Sequence, residues 1–124
     1  ATGPVPNPAA VAQRVGELPG VVACAVFDPS QGKPVAQAGS GPAAADLAQQ
    51  GAELIAAMLG AGRALGFGHA APDAAITFGS HHVLLRAVPK HPQLALHVVL
   101  DKAQANLTLA RLQLGRLDAM FDTE

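Results

Sequence analysis

The sequence predicts an α+β domain with the element order α-β-β-α-β-β-β-α. Three observations lead there. An apolar run, a Pro29-Ser30-Gln31-Gly32-Lys33 turn and a second short apolar run make a strand–turn–strand unit near the start. A long stretch after it repeats apolar residues at helical spacing. Three further strand-like segments follow with links short enough to force an antiparallel meander, and an amphipathic helix closes the chain.

Residues 1–7 are Pro-rich and read as an unstructured lead, so the domain is expected over 8–122. Asn7 can cap a short helix, 9–18, with Pro8 at its first position and Val11, Val15 and Leu18 on one side. Pro19-Gly20 ends it. The first strand, 21–27, is apolar at both parities, and the fifth, 94–100, nearly so. Strands without polar alternation are covered on both faces. The second strand is 34–38.

Ser40 or Gly41 is the expected cap of the long helix, 42–65. Pro42 sits in its first turn, and Asp46 favours the positive end of its dipole. Leu47, Gly51, Leu54, Met58, Ala61 and Leu65, flanked by Ile55 and Gly62, form the stripe expected on the sheet. Elsewhere the helix carries Ala52, Ala56, Ala57, Gly60 and Ala64, broken by Glu53 and Arg63. Small residues there permit close approach of another backbone; equally, alanine simply favours helix.

The third strand is 74–78, and Gly79-Ser80 suits a hairpin turn. The fourth, 82–88, has Arg86 as its single charge, and Pro89-Lys90-His91-Pro92 is the next turn. Asp101-Lys102-Ala103-Gln104 reads as a capping box opening the last helix. Ala103, Leu107, Ala110, Leu114, Leu117 and Phe121 are its core stripe; Leu109, Leu112 and Met120 lie off it, so this helix is expected to bury more than one side.

At 124 residues, 50% hydrophobic and 14% charged, the chain is long and apolar enough for one core. So little charge suggests that a partner covers some apolar surface. The net charge is −1 with no Lys/Arg cluster, which argues against nucleic acid and anionic membranes as partners. There is no Trp or Tyr to stack bases. No apolar run is long enough for a bilayer-spanning helix and no signal peptide is evident, so a cytoplasmic location is expected.

Chemistry is poorly represented. Gly39-Ser40-Gly41-Pro42-Ala43-Ala44 fits G-x-G-x-x-A, but the acidic residue closing a second parallel strand is missing, so it reads as a turn into a helix. There is no P-loop. His81 and His82 point to opposite faces if extended, and His69, His91 and His97 have no metal-ligand spacing. Cys24 sits among alanines in a buried strand, and Ser30, Ser40 and Ser80 lie in turns. No catalytic, cofactor-binding or metal-binding set is predicted, so the chain is read as a non-enzyme.

This element order, the opening hairpin from Gly20-Val21 through Val26, Asp28 and Gly32, the meander, and the junction Asp101-Lys102 with Asn106-Leu107, Leu109 and Arg111 together resemble the roadblock/dynein light chain family. The resemblance implies a profilin-like five-stranded antiparallel sheet, with the long helix on one face and the N- and C-terminal helices on the other. It also implies homodimers that pair their third strands across a two-fold axis, with the long helices side by side. The interface would then include Ala52, Ala56, Gly60, Ala75 and Thr77. Bacterial members commonly regulate Ras-like small GTPases as activators or scaffolds, so a homodimeric regulatory module is the expected function. Leu109 and Leu112, flanked by Arg111 and Arg116, are the candidate partner surface if the last helix leaves them exposed. The alternative is a small-molecule sensor on a PAS- or GAF-like sheet. That reading needs a cavity between sheet and long helix, where the small residues could leave a void or draw the helix close.

Overall fold

The computed structural model describes residues 7–68, 72–88 and 90–117. The lead up to residue 6, His69, Pro89, Met120 and Phe121 lie outside them.

Asn7 begins α1 (Pro8–Gly16) by accepting the Ala10 N–H on its Oδ1 at 3.3 Å. Strands β1 (Val21–Asp28) and β2 (Lys33–Gly39) follow, then α2 (Ala44–Ala64), β3 (Asp73–Phe78), β4 (His81–Val88), β5 (His91–Asp101) and α3 (Leu107–Leu117). The five strands form one sheet in the order β2-β1-β5-β4-β3, with antiparallel neighbours throughout.

The doubly apolar strands have the physical reason their pattern implied. Cys24 and Val26 of β1, with Leu94, Leu96, Val98 and Leu100 of β5, meet Val11 and Val15 of α1 and Ala110 and Leu114 of α3. Residues of the other parity, Ala23, Ala25 and Phe27 with Val83, Leu85, Ala95 and Val99, meet Leu47, Ala48 and Ile55 of α2. The sheet is thus a buried layer between α2 and the α1–α3 pair, and the central strands carry the core.

Four local expectations are corrected. The α2 N-cap is Ala43, whose side chain caps nothing; Pro42 precedes the helix, and the Ser40 N–H goes to the Val22 carbonyl at 2.9 Å. Ser40 therefore finishes the β2 edge of the sheet instead of capping. The fifth strand begins at His91, because Lys90 makes the turn with a φ of 68°. The last helix begins at Leu107: Asp101 accepts the Ala103 N–H at 2.9 Å within a turn, and Asn106 is the cap, accepting the Leu109 N–H at 2.9 Å. Ala103 is exposed in that turn, outside the helix.

The fourth concerns α2. Its buried residues are Leu47, Ala48, Gly51 and Ile55, and Leu54 and Met58 of the expected stripe pack on the core together with Ala52 and Leu59, whereas Ala61 is exposed and Leu65 is 67% exposed. At the end of α2, Ala61, Arg63 and Ala64 are all exposed, so its last turn leaves the core.

A Cβ at Gly51 would lie 2.6 Å from Phe27 Cζ and 3.2 Å from His97 Nδ1, so at this point the glycine lets α2 rest directly on the sheet. Among the described residues no helix is long and apolar enough to cross a membrane.

Candidate interaction surfaces

Strand β3 is an edge. It pairs with β4 from Asp73↔Arg86 to Phe78↔His81, and among the described residues no strand pairs with its other side. The register places Ala74, Ile76 and Phe78 on the face that carries α2, where Ile76 packs beside Val83 and Val99 and Phe78 is 60% exposed. Ala75 and Thr77 lie on the opposite face, where Thr77 Oγ1 is 2.9 Å from His82 Nδ1. The other edge, β2, carries Pro34, and α1 packs against it. An open strand with apolar side chains is a pairing template unless something covers it.

Two depressions flank α2. One, of about 520 Å³, lies between the start of α2 and the end of β3, lined by Leu47, Leu54, Phe78, Val83 and Val99 with Asp46, His81 and His97. The other, of about 530 Å³, is bordered by Ala52, Ala56 and Leu59 together with Pro29, Pro72 and Pro92. The interface residues expected from the sequence lie on both faces of the sheet. Ala52 and Ala56 border the second depression, Gly60 is half-buried with open space where a Cβ would stand, and Ala75 and Thr77 are on the far face of the sheet.

No protein-family model and no curated relative matches the chain. Solved structures do. Myxococcus xanthus MglB superposes with a TM-score of 0.76 at 21% identity, over 90% of this chain and 88% of that one. The roadblock/LC7 domain from Streptomyces avermitilis gives 0.73 at 14% identity, over 88% and 86%. An MglB with a tetrameric arrangement gives 0.71 at 16% identity, over 91% and 85%. This chain has the roadblock/LC7 fold.

On that roadblock fold α3 presents Leu109 and Leu112 to solvent, 44% and 55% exposed. The expectation that α3 buries more than one side is corrected: Ala110 and Leu114 are buried and Leu107 packs partly against them, but the off-stripe leucines face outward. Arg111 reaches across to β3, its Nη2 3.4 Å from Asp73 Oδ1, and Arg116 is exposed.

His97 is 5% exposed beneath α2. Its Nδ1 donates to the Leu47 carbonyl at 2.8 Å, since a carbonyl can only accept, and its ring tilts against Phe27 at 6.5 Å. Burial holds its pKa below the ordinary value, against the opposing effect of that hydrogen bond. This keeps the imidazole neutral, as part of the core. Cys24 donates to the Ala12 carbonyl at 3.3 Å, and burial pushes its thiol up to about 11, which leaves no thiolate for chemistry near neutral pH. Gly39 of the G-x-G-x-x-A stretch lies against Val22 and Ala23 of β1. Its close approach is to the chain's own strand.

Sequence reasoning passed over the exposed Phe67, placed the exposed Leu65 on the sheet-facing stripe, and took Phe78 only as the end of the third strand. The signal available for Phe67 was a large apolar residue set between Gly66 and Gly68, where a turn needs none.

Proposed function

We propose that this chain is a non-enzymatic homodimeric module that regulates or scaffolds a Ras-like small GTPase. The observation carrying the dimer is the open β3 edge, with Ile76 and Phe78 on its α2-facing side and a groove beside them. Two copies paired along β3 would form one ten-stranded sheet and remove the unpaired edge. The tetrameric arrangement of a similar MglB supports self-association on this fold. The GTPase partner rests on the resemblance to the roadblock family. The surface proposed to meet it is Leu109 and Leu112 on α3, flanked by Arg116, with Arg111 already engaged by Asp73.

The test has two parts. Sedimentation of the purified chain at micromolar concentration should give a dimer. Captured from its native host, the tagged dimer should retain a P-loop GTPase. A monomer refutes the dimer, and a dimer that retains no GTPase refutes the partner.

A small-molecule sensor has the groove beside His97 in its favour. Against it, Phe27 fills the space directly below Gly51. Thermal stabilisation by a small apolar compound, abolished by Val83→Trp, would favour the sensor.

A further inference from the structure

We propose that Leu65 and Phe67 of each copy fill the groove between α2 and β3 of the other, an inference that rests on the β3-paired dimer and adds its helix-side contact. The end of α2 is built to hold these residues out. Gly66 takes a φ of 83°, its N–H donates to the Arg63 carbonyl at 3.1 Å, and the Phe67 N–H donates to the Gly62 carbonyl at 2.8 Å. This is the paired hydrogen-bond pattern of a Schellman C-cap. In that motif the apolar residue after the αL position commonly packs on a side chain three or four positions before the cap residue. Here those positions are Gly62, which has no side chain, and Ala61, which offers a single exposed methyl. The Phe67 backbone is held by hydrogen bonds and the residue is left 66% exposed, with Leu65 beside it at 67%.

The groove and the knob cannot meet within one chain. The groove is lined by Pro42, Asp46, Leu47, Leu54 and Phe78, whereas Leu65 lies 11 residues beyond Leu54, the last of these on α2, roughly 16 Å along the helix. A two-fold axis brings them together. The start of α2 lies beside the end of β3, and Leu59, later in α2, lies beside Pro72 at the head of β3. Pairing β3 with its copy in antiparallel sense sets the head of one strand beside the end of the other. The end of one α2 then comes to the groove at the start of the second.

Charge agrees with this placement. An antiparallel register that sets Phe67 opposite Pro42 also sets Arg63 opposite Asp46, both of them exposed. Pairing opposite charges fixes register more than it adds affinity. The contact is isologous, so each dimer has two knobs and two filled grooves.

The experiment places the photo-crosslinking residue p-benzoylphenylalanine at position 67 and mixes nitrogen-15-labelled with unlabelled chains. Crosslinks joining labelled to unlabelled peptides should map to residues 42–54 or 78–83. In parallel, Phe67→Ser should raise the dimer dissociation constant at least tenfold with an unchanged circular-dichroism spectrum and melting profile in the monomer. Hybrid crosslinks elsewhere, or a dimer whose affinity Phe67→Ser leaves unchanged, overturn the knob while the β3 dimer stands. A wild-type chain that stays monomeric refutes the dimer and the knob with it.

Discussion

Gly51 and Gly60 lie in the same helix, yet a Cβ added at the first would crowd the core and one added at the second would meet nothing. At Gly51 an added methyl would crowd the fully buried Phe27 ring, and overpacking costs about 1–3 kcal/mol. The gain in helix propensity, about 1 kcal/mol, does not offset it. Gly51→Ala should lower the urea midpoint. At Gly60 a Cβ meets nothing within 4 Å, so Gly60→Ala should raise the midpoint, by up to about 1 kcal/mol in stability. Equal shifts of the same sign would mean that α2 does not rest on Phe27. His97 supplies a second test at this scale. Its folded pKa is depressed by burial, so below the ordinary value of about 6.5 the unfolded chain binds the extra proton. The stability it supports is complete above that value. It is lost as pH falls toward the folded pKa, with a slope of at most about 1.4 kcal/mol per pH unit. His97→Gln should flatten the stability difference between pH 7.5 and 5.5; an unchanged slope would place the titrating group elsewhere.

Among the elements, strand identity was legible because burial on both faces writes itself into β1 and β5 as uninterrupted apolar runs. The extent of α2 against the sheet was not. Its apolar periodicity continues through Ala61 and Leu65, but periodicity says nothing about where the sheet beneath ends. Likewise Asp101 and Asn106 are both capping residues, and the choice between them depended on β5 running on to Asp101, which delays the helix by a turn. In the candidate site, β3 was legible as an edge, whereas its pairing of Ala75 and Thr77 with the far face came only from the register with β4. For α3 the structure makes a definite prediction. Leu112 is 55% exposed, so Leu112→Glu should leave the stability of the fold within about 0.5 kcal/mol of wild type, and on the proposed partner surface it should abolish capture of the proposed GTPase. An unfolded variant would mean Leu112 is core; a folded dimer that still binds would exclude α3 as the partner surface.

At the scale of the whole molecule, the described residues leave one sheet edge unpaired with an apolar groove beside it, and in the proposed dimer a second copy would complete both. Gly39 packs on the chain's own β1 and the sequence has no P-loop lysine motif, so the purified chain should show no saturable GTP or ATP binding at micromolar concentration; calorimetry detecting such binding would contradict the regulatory reading. The central claim is that β3 pairs with its own copy, and amide hydrogen exchange along Asp73–Phe78 tests it most directly. In a lone chain the amides of β3 that point away from β4 face solvent and exchange freely. Where the chain sediments as a dimer, those amides should be protected, and protection should fall on dilution while β4 and β5 stay protected. Outward β3 amides that exchange freely at every concentration, including those at which the chain is dimeric, would contradict the account.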